Sequence, residues 1–233
     1  GVGYQAGYYN VTGQNNTWLG HRAGFGASGQ SNSHNTGIGK FALTAITTGN
    51  ENTAVGQGAL TTHTSGDFNT AIGSQALESQ TTGQYNTAIG TYAGLSTTTA
   101  SGSVFIGKDA GRTVTTGFGN IAIGYDAMYG GSVVGTYNIA MGVSAGDALT
   151  DGSQNILLGW GAGGTSTSVS KAVFIGTVAG GDGNVTSAAD GTIAIGHAAL
   201  SKLTTGAESI AIGYQALEDM TTASSNVVIG YQA

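Results

Sequence analysis

The chain has 233 residues, of which only 8% are charged; six Lys plus Arg against twelve Asp plus Glu give a formal net charge of −6. That weak acidity is spread along the chain with no basic stripe, which sets nucleic acid aside as a partner. No run approaches the roughly 18 apolar residues of a membrane span, the lack of cysteine removes disulfides and thiolate metal sites, and 43 glycines without a single proline exclude collagen.

Taken in chain order, the predicted elements repeat one another. A strand ending in an aliphatic residue and glycine is expected at Val2-Gly3, Leu19-Gly20, Ile38-Gly39, Val55-Gly56, Ile72-Gly73, Ile89-Gly90, Ile106-Gly107 and Ile123-Gly124. It recurs at Met141-Gly142, Leu158-Gly159, Ile175-Gly176, Ile195-Gly196, Ile212-Gly213 and Ile229-Gly230. The interval is 17 residues except for 19 at Gly20 to Gly39, 18 at Gly124 to Gly142 and 20 at Gly176 to Gly196. A short fixed period means stacked near-identical units, each contacting only its neighbours. The predicted fold is therefore all-β: a parallel β-solenoid of about thirteen 17-residue coils, one continuous domain over 1–233. At about 4.8 Å per coil it would be a rod of roughly 60 Å. The start inside a repeat, at Gly1-Val2-Gly3, reads as a segment of a longer fibre protein.

Aligned on the anchor glycine, the repeats form columns. The residue before the glycine is never polar, and two residues earlier stands Thr or a β-branched aliphatic, from Thr17 to Val227. Period-two spacing with β-branched enrichment marks a strand, and both columns are expected on its inner face. The residue between them is mostly Ala, with Trp18, Phe105, Leu157 and Phe174 as exceptions, and is expected on an opposite, apolar face that something must cover. Three residues after the glycine stands Ala in all fourteen repeats, followed by Leu, Met or Gly, which implies close backbone approach. Four residues before it is Asn in nine of thirteen cases, suited to turns and to bonding along the stack. With Thr-Thr-Gly turns such as Thr81-Thr82-Gly83, each coil is expected to hold two short strands and two turns.

A single coil offers few apolar side chains, so burial of the Ala face against identical chains is expected, giving a parallel homo-oligomer, with a trimer as the expected form. Neither end carries a polar capping segment, which also admits end-to-end stacking into a self-assembling filament.

The units Asn69-Thr70-Ala71-Ile72-Gly73-Ser74-Gln75-Ala76-Leu77 and Asn86-Thr87-Ala88-Ile89-Gly90 resemble the head repeats of trimeric autotransporter adhesins of the YadA kind. They resemble still more the related repeats of phage tail fibres and bacterial tail-fibre-domain proteins. The resemblance implies a left-handed parallel β-roll, three chains about one axis, displayed outside the cell at its surface or on a virion. The 17-residue beat is longer than the adhesin head's usual coil, which implies different turns.

The expected role is non-enzymatic: structure and adhesion in an extracellular fibre, without cofactor or metal, with a host receptor or glycan contacting its turns. Aromatic residues just after the anchor are the candidate contact surface: Tyr4, Phe41, Tyr92, Tyr125, Trp160, Tyr214 and Tyr231. The enzymatic alternative, a polysaccharide-processing fibre like a phage tailspike, needs a carboxylate pair, and Asp109 with Asp126 occupy one column in successive coils. Against it, Lys108 and Arg112 stand ready to neutralise exposed acids on that turn edge. Gly102 to Lys108 mimics a phosphate loop, but Asp109 replaces the required Ser or Thr and the segment is a repeat strand. His21, His34, His63 and His197 lack metal-ligand spacing and are expected to be solvated turn residues.

Overall fold

The computed structural model describes residues 1–222 and 224–233, and the chain divides into two compact units, Gly1–Thr116 and Gly117–Ala233. The first holds β1 (Thr17–Leu19), β2 (Thr36–Ile38), β3 (Thr53–Val55), β4 (Thr70–Ile72), β5 (Thr87–Ile89) and β6 (Val104–Ile106). The second holds β7 (Ile121–Ile123), β8 (Ile139–Met141), β9 (Ile156–Leu158), β10 (Val173–Ile175), β11 (Ile193–Ile195), β12 (Ile210–Ile212) and β13 (Val227–Ile229). Within each unit every strand pairs in parallel with the next, one coil on, so each unit is a parallel β-solenoid.

Like residues superpose. Thr70 pairs with Thr87, Ile72 with Ile89 and Ile89 with Ile106. The longest interval does not disturb this register, since Val173 still pairs with Ile193 and the extra residues go into a turn containing the short 3₁₀ helix Ser187–Ala189.

Each coil has one three-residue strand where two were expected. The rest of the coil bends through residues in the left-handed region, such as Gln75 (φ 57°), Leu77 (φ 51°) and Tyr85 (φ 59°). Each such residue is unfavourable by roughly 1–2 kcal/mol, but the twist aims its N–H along the stack. Gln75 donates to the Gln57 carbonyl at 2.8 Å, Leu77 to Ala93 at 3.0 Å and Tyr85 to Asp67 at 3.2 Å, so coils are tied at their turns as well as at their strands. The anchor glycine marks the sharpest corner: at Gly20 (φ 134°) a Cβ would lie 2.7 Å from the carbonyl carbon and oxygen of Gly39 in the next coil.

The expected faces are reversed. From β1 to β12 the middle residue of every strand is buried and neither flanking residue is. The Ala, Trp and Phe column therefore faces the interior, and the Ile and Thr columns face out. The interior is too narrow for a branched side chain at every level, and it balances size between two columns. Gly37 in β2 pairs with Trp18, and a Cβ on Gly24 would strike the Trp18 ring. Phe105 is matched by Gly94, where a Cβ would lie 2.7 Å from the Phe105 ring, and Phe174 by Gly180, at 2.6 Å. At Ala54, Ala71, Ala122 and Ala194 the partner six residues on is Leu60, Leu77, Met128 and Leu200, all buried, whereas beside Ala88 and Ala140 it is Gly94 and Gly146, and Phe105 and Leu157 of the next coil fill the space.

The asparagine column is a buried hydrogen-bond ladder. Asn52 Nδ2 donates to Asn35 Oδ1 at 3.2 Å, Asn69 to Asn52 at 2.9 Å and Asn86 to Asn69 at 3.2 Å. Each amide also crosses its own coil, Asn69 Nδ2 reaching the Gly83 carbonyl at 2.9 Å. The second unit repeats this from Asn120 through Asn138 to Asn155.

Candidate contact surface

The outward strand face is a regular surface built from the two flanking columns of each strand. Its second column is aliphatic apart from Met141: Leu19, Ile72, Ile89, Met141 and Ile229 are exposed, Ile72 and Ile89 by 39%, and the other members of the column are half-buried. Its first column differs by unit, being Thr in β1 to β5 and Val or Ile in β7 to β13.

The seven aromatic residues separate into two groups. Tyr4, Tyr125, Trp160, Tyr214 and Tyr231 directly follow their anchor glycine and are exposed, Trp160 by 58% and Tyr231 by 71%. Phe41 (φ 65°) and Tyr92 (φ 61°) stand one residue later, at the left-handed position, and are half-buried. Phe41 lies beneath Lys40 Nζ, 4.9 Å from its centroid, and Tyr92 beneath the Arg112 guanidinium at 5.0 Å. These two are packing residues of the turn, unlike the first five.

Several exposed rings turn their faces to each other. Tyr214 stacks on His197 at 5.0 Å and on Tyr231 at 5.1 Å, and Tyr4 stacks on His21 at 5.3 Å. A second aromatic row was missed from the sequence: Phe68 and Tyr85 stack at 5.2 Å with a 4° interplanar angle, and Phe118 meets Tyr137 edge-on at 4.9 Å. Its signal was present, since Phe68 and Tyr85 each stand directly before a ladder asparagine.

Asp109 is buried, not exposed on the turn edge. Its carboxylate accepts from Lys108 Nζ at 2.6 Å and from Arg112 Nη1 at 2.8 Å, so both oxygens are engaged by cations. Asp126 lies in the second unit, where its negative charge, after burial, helps to raise the pKa of Asp147 above the usual carboxylate value. The segment from Gly102 to Lys108 contains β6, a strand and not a phosphate loop.

Three of the four histidines are exposed as expected, but His63 is fully buried. Its Nε2–H donates to the Gly66 carbonyl at 2.7 Å, and burial holds its pKa below the ordinary histidine value. The cause is its column: the corresponding residues Ile46, Gln80, Thr97, Val114 and Leu149 are also buried. Among the described residues no group of three or more His, Asp or Glu is placed to hold a metal ion, and no helix is long and apolar enough to cross a membrane.

No family model, curated protein or solved structure matches the chain.

Proposed function

We propose that this chain is a non-enzymatic structural segment of an extracellular fibre, at a cell surface or on a virion, built from three parallel copies with receptor or glycan contact on its turns. The observation that carries this is the outward sheet face. A sheet that meets water alternates apolar-in with polar-out, whereas here an unbroken aliphatic column points outward in both units. Identical parallel copies would cover that column with its own counterpart, replacing the Ala-face packing expected from the sequence. Length then scales with coil number, which suits reach. The repeat's resemblance to adhesin heads and tail fibres supports the extracellular setting, left-handed coils and threefold assembly. Turn aromatics with free ring edges, such as Tyr4 and Tyr231, are the groups for contact with a host receptor or glycan.

Electron microscopy of purified protein tests the fibre role. Isolated short rods are expected; compact particles would refute it, and long polymers would favour the self-assembling filament. The engagement of Asp109 by Lys108 and Arg112 weighs against glycan cleavage; no turnover of host glycans is expected, and turnover that Asp109→Asn abolishes would contradict a structural role.

A further inference from the structure

We infer that the C-terminal unit holds the copies together, through a patch centred on Trp160 and the outward columns of β9 and β10, and that its occupant is the same patch of a second copy. This rests on the self-association proposed above and locates it along the chain.

The two units present different chemistry at equivalent positions. In the first, Thr occupies one outward column in five of six strands, and the residues after the anchors are, apart from Tyr4, the polar His21, Lys40, Gln57, Ser74, Thr91 and Lys108. In the second, all fourteen outward strand positions are aliphatic or Met, and the residues after the anchors are, apart from Thr177 and His197, the apolar or aromatic Tyr125, Val143, Trp160, Tyr214 and Tyr231. A surface without polar alternation is one that water does not finally meet. Because it also carries no charge, a like face can cover it without stranding an ion, whereas a charged partner would be desolvated unpaired.

Trp160 is the anchor of this patch. It sits mid-stack, directly after β9, and is 58% exposed. Tyr214 spends both ring faces on His197 and Tyr231, but the residues beside Trp160 in its column are Val143 and Thr177, which offer no ring. A large indole left free in an apolar surround is the residue type that dominates interface energetics.

The outward face of the whole unit, with Trp160 near its middle, sets the size. Seven strands at about 4.8 Å and four residues at about 3.3 Å give a footprint of roughly 34 by 13 Å, or about 440 Å² per copy. Two partners together reach about 900 Å² from the strand face alone, just short of the roughly 1,000 Å² that a specific interface should clear, and burial of the exposed Trp160 indole beside it adds on the order of 100 Å² per copy.

Sedimentation equilibrium of the full chain tests the assignment, with circular dichroism confirming each fold. Trp160→Ala and the pair Ile156→Thr/Val173→Thr should each weaken association about thirtyfold, the size of a hot-spot truncation. The pair Ile72→Thr/Ile89→Thr, on the half-polar face of the first unit, should weaken it by only about threefold, the size of a rim contact. Thr70→Ile/Thr87→Ile should strengthen association, a gain that unfolding cannot mimic. A wild-type chain that stays single at every concentration would overturn the self-association itself. An associating wild type that is insensitive to Trp160→Ala, or equally sensitive in both units, would overturn only the placement.

Discussion

The two units have one backbone and two chemistries. The N-terminal unit is polar within and half-polar without: five ladder asparagines run unbroken from Asn16 to Asn86, His63 and Gln80 sit in its core, and Thr lines its outer face. In the C-terminal unit the ladder runs only from Asn120 to Asn155, after which Ala172 takes the position, and its outer face is aliphatic. The parallel ladder thus fixes geometry, while side chains in each column decide where cohesion comes from. The first unit is held by buried hydrogen bonds along the stack, the second more by apolar burial.

The largest expected effect follows from the ladder. Asn69 Oδ1 accepts from the Asn86 backbone and side-chain amides and from Gln80, and its own amide donates to three carbonyl oxygens. Asn69→Ala orphans several buried groups at roughly 1–3 kcal/mol each, so a loss of about 4–6 kcal/mol is expected in urea unfolding. Asn155→Ala should lose about half as much, because Ala172 above it presents only a backbone N–H. Equal losses would erase the contrast between the units.

Next comes the paired-size interior. Phe105→Ala should lose about 3–5 kcal/mol. Adding Gly111→Leu should recover part of that, since Leu43 and Leu60 already occupy this column with φ of 51°. If the second substitution deepens the loss, the two columns do not share one space.

Titration gives smaller effects of opposite sign in the two units. His63 has a folded pKa below its unfolded value near 6.5, so the unfolded chain binds the proton first. Stability from this group is complete above about pH 6.5 and declines as pH falls below it, and His63→Gln should flatten that slope in a melting-temperature series. In the second unit burial, then Asp126, raises the pKa of Asp147. Its charge therefore opposes folding at neutral pH and is relieved as pH falls through the raised value. Asp147→Asn should stabilise at pH 7 by less than about 1 kcal/mol, given its partial exposure.

Period, register and the asparagine ladder were legible in the sequence because each is a property of one column read lengthwise. Which face points inward was not. Both faces of the strand are apolar, so β-branched composition at Thr70 and Ile72 could not tell inside from outside. The deciding signal lies between columns: Trp18 with Gly24 and Phe105 with Gly111, against Ala54 with Leu60, trade volume only if both point into one space. His63 was misplaced for a related reason, since its burial shows only beside Ile46 and Leu149 in its column. Among the aromatics, one residue of displacement separated Phe41 and Tyr92 from the exposed set, because the backbone turns left-handed at that position.

Light scattering on the intact chain tests most directly whether an aliphatic column left facing outward is covered by its own kind. A mass of about three times the 23.0 kDa chain is expected, and a stable mass of one chain across the accessible concentration range would contradict it.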